Sequence, residues 1–205
     1  ILRRLVGSEM CIRDSVGTVR LDEVKGHFGD QISITWKSFL LKPESKAPDR
    51  EKFIRYTQGW ERMAALEPKT SFVPWSTSSN PPTGSLPAQV AQKIISSDAP
   101  EYADAMHHKL LAAYFEKNLD ISDWSVLANL ANEVGFGESK FSSLVETRRL
   151  ELSKRVIDEH NEAINQGITS VPTVVINQVL PVPGAQETET YINWISRLIE
   201  RKNEN

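Results

Sequence analysis

The sequence is poor in cysteine, since Cys11 is the one cysteine among 205 residues. An intrachain disulfide is therefore excluded, and we expect a reducing compartment, the cytoplasm. No apolar run is long enough for a transmembrane helix, and no secretory signal pattern is visible. Basic runs are also missing, and a formal net charge of −3 argues against a nucleic-acid-binding surface.

Residues 1–15 differ in character from the rest of the chain. The segment VGSEMCIRDS, residues 6–15, resembles translated sequencing-adapter read-through. We therefore expect residues 1–15 to be a non-native segment. Residues 1–6 could still form a short strand, although their apolar and polar residues do not alternate with a period of two.

Regular patterns of helix and strand begin at Val16. Val16 and Val24 have helical spacing, Gly29 can end that helix, and residues 32–36 alternate as a half-buried strand. At the far end the patterns predict a strand over 173–177, a strand over 178–182 and a helix over 187–202. These patterns predict that residues 16–48 and 167–205 form the two halves of one small α/β domain.

The stretch between these halves, residues 49–166, predicts an insertion that is nearly all helix. Helices are expected from residue 50 to about 66, from 86, from 100, around 124–134 and over 141–166. Side chains able to cap these helices precede them, namely Asp49, Ser85, Asp98, and Asp120 or Ser122.

A proline stands at the entry to the first of the two C-terminal strands. Gly167 to Ser170 form a polar turn, Val171-Pro172 follows, and a β-branched run completes the stretch. Proline lacks an N–H group, so it fits the first residue of a strand. With Val182-Pro183-Gly184-Ala185-Gln186 after the second strand, this stretch resembles the cis-proline end of a thioredoxin-fold domain.

The resemblance is more narrowly to the FrnE-type branch of the DsbA superfamily. It extends from Val16 to Arg201 and includes Ser85-Leu86-Pro87-Ala88 and Leu119-Asp120-Ile121-Ser122-Asp123. It implies a thioredoxin-like α/β fold with a helical insertion. Because the capped, amphipathic segments of residues 85–166 must bury their apolar stripes, we expect Ser85 to Gln166 to pack as a lid over one side of the site. The resemblance also implies a cis Val171–Pro172 bond and substrate binding at Val171 and Pro172, where the backbone before the proline meets an extended thiol-bearing substrate.

The resembling family carries Cys-Pro-Trp-Cys at the start of a helix, followed by an aromatic residue, a small apolar residue and glycine. Counting back from Val16-Gly17 places that motif at Cys11-Ile12-Arg13-Asp14. Cys11 therefore occupies the position of the catalytic nucleophile, but Asp14 occupies that of the resolving thiol. The helix N-terminus and Arg13 would lower the pKa of the Cys11 thiol, whereas Asp14 would oppose its ionisation.

The remaining candidates for site residues are a tryptophan and two histidines. Trp75 lies in a loop rich in serine and proline, and we expect it to line the substrate groove, whereas the other four tryptophans suit a core. His107 and His108 are adjacent on a helix, point in different directions and cannot chelate one metal ion, so solvated side chains and no metal site are expected.

These observations favour a thiol–disulfide oxidoreductase of the DsbA/FrnE type whose CxxC motif is not intact. No cofactor is expected apart from glutathione as a co-substrate, and the partner would be glutathione or a thiol- or disulfide-bearing protein. One alternative is a glutathione-dependent isomerase or transferase of the kappa type, which has serine in place of the first cysteine. Position 11 is not serine, although Ser15 is near. The other alternative is a non-catalytic peptide-binding module.

Overall fold

The computed structural model describes residues 2–7, 12–41, 45–65 and 67–203. These residues include a four-stranded sheet. The strands lie in the order β2-β1-β3-β4. β1 pairs in parallel with β2, whereas the β1–β3 and β3–β4 pairs are antiparallel. The strands span Leu2–Gly7 (β1), Ser33–Ser38 (β2), Thr173–Ile176 (β3) and Leu180–Pro183 (β4).

Eight α-helices accompany the sheet in the described part of the chain. They are α1 Ile12–Phe28, α2 Arg50–Thr57, α3 Trp60–Ala64, α4 Leu86–Asp98, α5 Ala103–Phe115, α6 Trp124–Glu133, α7 Glu138–Asn165 and α8 Thr188–Asn203. The order is therefore βαβ, six helices, then ββα. None of these helices is both long and apolar enough to cross a membrane.

The two faces of β3 bury their side chains in different clusters, because successive residues of a strand point to opposite faces. Val174 and Ile176 pack with residues of α1 and α8, including Leu21 and Tyr191. Val175 faces the other way and joins a cluster of Phe39, Ala163, Ile168 and Val171. Helices α1 and α8 thus cover one face, and the end of α7 covers the other.

Residues 1–15, the segment expected to be non-native, include an inner strand of the sheet. Leu2 to Gly7 form β1, whose residues pair with 33–38 of β2 on one side, while residues 3–6 pair with β3 on the other. The short strand considered for residues 1–6 is thus present, shifted by one residue. The non-native origin of residues 1–15 stays a prediction.

Local signals place several element ends where the sequence predicts them. The Asp49 carboxylate accepts the Lys52 N–H at 2.9 Å and caps α2. Gly29 and Gly167, with φ of +53° and +77°, follow α1 and α7 closely. A left-handed backbone costs glycine little, so these helices end there.

Other helix ends differ from the expectation. The helix expected from residue 50 to about 66 is interrupted after Thr57 and resumes at Trp60, with Gly59 between the two pieces. Asp98 is no cap, because it is the last residue of α4 and binds Arg148 at 2.6 Å. Ser85 precedes α4 without a capping hydrogen bond from its side chain.

Candidate active site

The candidate site lies where the start of α1 meets the loop before β3. Helix α1 begins at Ile12, so Cys11 is the residue immediately before it in the chain. Cys11 itself lies outside the described residues. Strand β1 ends at Gly7, and its parallel partner β2 ends opposite it at Ser38, so α1 starts near the carboxyl ends of two parallel strands.

Gly17 and Pro172 are in contact across this site. A β-carbon placed on Gly17 would lie 3.3 Å from Cγ of Pro172 and 3.8 Å from Cβ of Ala185. The Val171–Pro172 peptide bond, which the sequence predicts to be cis, is cis. A side chain at position 17 would force the Pro172 ring to shift by a few tenths of an ångström, and the glycine that follows the resembling motif is the sequence signal for this tight fit.

Hydrogen bonds hold the loop around Pro172 in place. The Pro172 carbonyl accepts the Gly184 N–H at 2.8 Å, and the Thr173 hydroxyl donates to the Ser170 carbonyl at 2.7 Å. The Tyr191 hydroxyl donates to the Gly184 carbonyl at 3.1 Å. The 170–173 loop and the 184–186 loop are therefore fixed to each other and to α8.

Val171 contributes its side chain to the core. It is only 6% exposed and packs in the cluster that contains Phe39, Ile168 and Val175. The side chain is therefore unavailable to a substrate, and a binding role for Val171 would rest on its backbone. Substrate binding at Val171 and Pro172 stays a prediction.

Arg20 links α1 to the segment at Glu67 and to the segment at residues 185–187. Its guanidinium donates to the Ala185 carbonyl at 2.9 Å and forms ion pairs with Glu67 at 3.1 Å and Glu187 at 3.0 Å. The Arg20 and Glu67 side chains are only 12% and 13% exposed, whereas Glu187 is 76% exposed. Arg20 thus positions the 184–186 loop, and the spacing of α1 alone did not indicate this.

The first turn of α1 holds the residues of the incomplete motif. Arg13 is exposed, whereas the Asp14 residue is 1% exposed. The Asp14 carbonyl accepts a hydrogen bond from the Thr18 hydroxyl at 2.8 Å. The residue at the resolving position is therefore a buried carboxyl side chain, which cannot form a disulfide with Cys11.

Trp75 does not line a groove, and that expectation is corrected. Its side chain is buried at 1% exposure, and its indole N–H donates to the Ser79 carbonyl at 3.1 Å. It packs edge-on against Phe53 at a centroid distance of 5.3 Å and lies 5.8 Å from the Tyr114 ring. Trp75 is therefore a core residue of the insertion.

The expectation of a solvated side chain is also wrong for His107. It is buried, and its ring stacks on Trp36 at 3.7 Å. Burial above all, and then the nearby His108, lowers the pKa of His107 to about 3. The neutral Nε2 lies 3.0 Å from the Thr18 hydroxyl, which itself donates to Asp14, so Nε2–H is the donor in that pair.

His108 has a different environment from its neighbour. Its Nε2 lies 3.2 Å from the Asp22 carboxylate, and its hydrogen bond with Asp22 raises the pKa of His108 despite partial burial. Among the residues with described side chains, no group of three His, Cys, Asp or Glu could hold a metal ion.

The fold, together with the contact between α1 and the loop that contains the cis-proline Pro172, defines a thioredoxin-like protein with a helical insertion, as the sequence predicts. The family of DSBA-like thioredoxin domains matches residues 15–195. The chain belongs to this family, and the family-level resemblance is confirmed.

Known proteins similar to this chain agree with that placement. YwbO of Bacillus subtilis, described as uncharacterized, is 26% identical over 184 residues, which are 82% of this chain and 83% of YwbO. A putative protein disulfide isomerase from Nitrosomonas europaea has a TM-score of 0.80 at 14% identity, covering 98% of both chains. The cytosolic disulfide reductase DsbM from Pseudomonas aeruginosa, solved with glutathione, has a TM-score of 0.71 at 15% identity, covering 99% of this chain and all of DsbM.

Proposed function

We propose that this protein is a thiol–disulfide oxidoreductase of the FrnE type that works with one thiol, Cys11, and an external thiol. The observation that carries the proposal is the contact between Gly17, the sixth residue of α1, and Pro172 of the opposing loop. A thiol before α1 would face the loop at which an extended substrate is expected to bind. The dipole of α1 would favour its thiolate by about 0.3–1 kcal/mol.

The exchange requires two steps when only one thiol is present. The Cys11 thiolate attacks a substrate disulfide, forms a mixed disulfide with one sulfur and releases the other as a thiolate. An external thiolate then attacks the substrate sulfur of that mixed disulfide, and Cys11 leaves as a thiolate. The buried Asp14 takes no part in either step, so turnover depends on the external thiol.

Glutathione is the external thiol that we propose. The similarity to DsbM, which was solved with glutathione, supports this choice, and its description as cytosolic supports the cytoplasm as the location. A small soluble thiol also suits a site whose resolving position is closed by a buried residue.

The alternative of a kappa-type isomerase requires a serine at the start of the helix, and the geometry does not favour it. Ser15 is the fourth residue of α1, and its side chain lines a cavity with Thr18, Lys69 and His108. Ser15 is only 8% exposed and lies one turn into the helix. The other alternative, a peptide-binding module without chemistry, differs from our proposal only in the role of Cys11.

The test compares the chain with a version that carries a complete motif. We expect slow insulin reduction with glutathione, abolished by Cys11→Ser. The triple replacement Ile12→Pro, Arg13→Trp and Asp14→Cys supplies the resolving thiol and should raise the turnover, because release then becomes intramolecular. Cys11→Ser in the triple variant is the matched control.

Two outcomes would contradict the proposal. One is full activity of the Cys11→Ser variant. The other is a triple variant that has a normal circular dichroism spectrum but no activity, because a folded chain with both thiols should exchange disulfides. In the second case, peptide binding without catalysis would favour the module.

A further inference from the structure

A cavity of about 410 Å³ with mostly apolar walls lies between α2, α5 and the loop that leads from β2 to α2. Leu41 of that loop, Phe53 and Tyr56 of α2 and Tyr114 of α5 form its apolar wall. None of the described residues on this wall belongs to the candidate active site. Its volume is in the range of small-molecule sites, which are typically apolar cavities with a few polar groups.

The aromatic rings of the wall are held in place by two buried tryptophans that do not line the cavity. Trp75 lies 5.3 Å from the Phe53 ring and 5.8 Å from the Tyr114 ring. Trp60 packs edge-on against the same two rings, at 6.4 Å and 5.4 Å. The Tyr56 ring is 6.3 Å from Phe53 and completes the set. The wall is therefore a preformed aromatic surface.

One polar group on this wall, the Tyr114 hydroxyl, has no partner among the residues that the structure describes. Tyr114 is only 3% exposed. The described polar atoms that are sealed off without a partner do not include its oxygen, so the hydroxyl retains contact with the cavity that the ring lines. Burial raises the pKa of Tyr114 and the nearby Tyr56 raises it further, so the hydroxyl is protonated at neutral pH. It can donate one hydrogen bond and accept another.

The charged residues on the described wall balance each other. They are Asp49 and Lys52, which have opposite charges and are both exposed. The Asp49 carboxylate already accepts the Lys52 backbone N–H at 2.9 Å, as the cap of α2. Exposed charges of opposite sign are screened by solvent, so this cavity does not select an ion of either sign.

We propose that this cavity binds a neutral phenol-type molecule, with its ring against Phe53, Tyr56 and Tyr114 and its oxygen at the Tyr114 hydroxyl. An aromatic ring packs favourably edge-on or offset against such walls. A hydrocarbon ligand would leave the Tyr114 hydroxyl without a partner, which costs free energy in a buried site. A charged ligand would lose hydration without gaining an opposing net charge. The assignment does not depend on Cys11 or on disulfide exchange.

The experiment is calorimetric titration of the 205-residue chain with phenol at neutral pH. Benzene is the comparison titrant, because it has the ring but no oxygen. We expect saturable binding of phenol, and binding of benzene that is weaker by about threefold to tenfold, the value of one hydrogen bond. A third titrant, 4-hydroxybenzoate, is an anion at this pH and should bind no more tightly than phenol.

Three variants test the geometry. Tyr114→Phe removes one oxygen and should bind phenol and benzene equally well. Tyr102→Phe is the matched control, because it removes the hydroxyl of a tyrosine that lies beside Gly135 and outside the cavity, and it should keep the preference for phenol. Tyr56→Ala removes a ring that is 66% exposed, so the fold should survive, and the binding of both ligands should weaken.

The proposal is overturned if phenol gives no saturable heat, or if Tyr56→Ala binds phenol as tightly as the native chain, since the ring would then lie elsewhere. It is also overturned if Tyr114→Phe, with a normal circular dichroism spectrum, prefers phenol to benzene as strongly as Tyr102→Phe does. Much tighter binding of 4-hydroxybenzoate than of phenol would show that the cavity selects an anion and not a neutral molecule.

Discussion

Gly17 of α1 lies against the ring of Pro172, so that an added β-carbon would stand 3.3 Å from Cγ of the proline. This separation is closer than an ordinary van der Waals contact, so the proline ring would have to shift by a few tenths of an ångström. The size of residue 17 therefore limits how closely α1 approaches the 170–173 loop.

The contact predicts opposite results for two glycines of the same helix. A β-carbon on Gly26 would meet no described atom within 4 Å, so Gly26→Ala should stabilise the protein by about 0.5–1 kcal/mol. Gly17→Ala should lose that gain and up to about 2 kcal/mol more through overpacking. Urea unfolding of both variants checks this. Equal stabilisation by the two substitutions would show that Gly17 and Pro172 are not in close contact.

Arg20 predicts a second pair of results. Arg20→Lys keeps the charge but loses the planar fork of donors that contacts three partners, and we expect a loss of about 1–2 kcal/mol in the free energy of unfolding. Glu187→Gln is the control, because Glu187 is 76% exposed, and it should change stability by less than about 0.5 kcal/mol. Denaturant titration measures both. A larger loss from Glu187→Gln than from Arg20→Lys would contradict the positioning role.

Glu159 is surrounded by Lys37, Lys93 and Arg155, so we expect its replacement to lower the stability of the fold strongly. Glu159→Gln leaves the buried Lys93 without its counter-charge, and we expect a loss of about 3–5 kcal/mol. Burial raises the pKa of Glu159, but Lys93, the Ser38 N–H and Lys37 together more than offset this, so the net pKa is lowered from 4.5. The stabilisation is therefore present above pH 4.5 and is lost as the pH falls below it.

Acid titration of stability is the measurement for this carboxylate. The difference in unfolding free energy between the native chain and Glu159→Gln should shrink below pH 4.5. Glu151→Gln, at an exposed ion pair on the same helix, should leave the unfolding curve nearly unchanged. A difference independent of pH would mean that the charge of Glu159 is not what stabilises the fold.

The two adjacent histidines predict separate titrations. The pKa of His107 is about 3 in the folded chain against its ordinary value of 6.5, so the unfolded state binds more protons between these values. Stability from His107 is thus complete above pH 6.5 and declines as the pH falls, by at most about 1.4 kcal/mol per pH unit. Proton NMR should show no titration of His107 near its ordinary pKa, while His108 titrates above 6.5. Titration of both rings near 6.5 would show that His107 is solvated.

Features with local causes were predictable from the sequence. The cap at Asp49, the helix ends near Gly29 and Gly167 and the position of Pro172 depend on residues within one or two turns. Side chains whose environment comes from distant parts of the chain were not. His107 is buried because Trp36 stacks on it from β2, and Trp75 is buried because Tyr114 and Phe53 reach it from two helices.

The central strand shows the same limit. β1 pairs with β2 on one side and with β3, about 170 residues later, on the other. No local alternation in residues 2–7 signals this position. The cis bond before Pro172 was implied by the resemblance, but the approach of Gly17 to Pro172 and the contacts of Arg20 required coordinates.

Strand β4 is an edge strand of the sheet, and its sequence, LPVP, determines whether another strand can pair with it. Val182 pairs with Val174 and Leu180 with Ile176, and the alternate residues are Pro181 and Pro183. In an antiparallel ladder the alternate residues direct their N–H groups outward, and proline has none. The outer edge of β4 therefore presents carbonyl oxygens but lacks the backbone N–H donors that a docking strand needs. A further strand cannot form a complete ladder at this edge, which protects the strand against edge-to-edge aggregation.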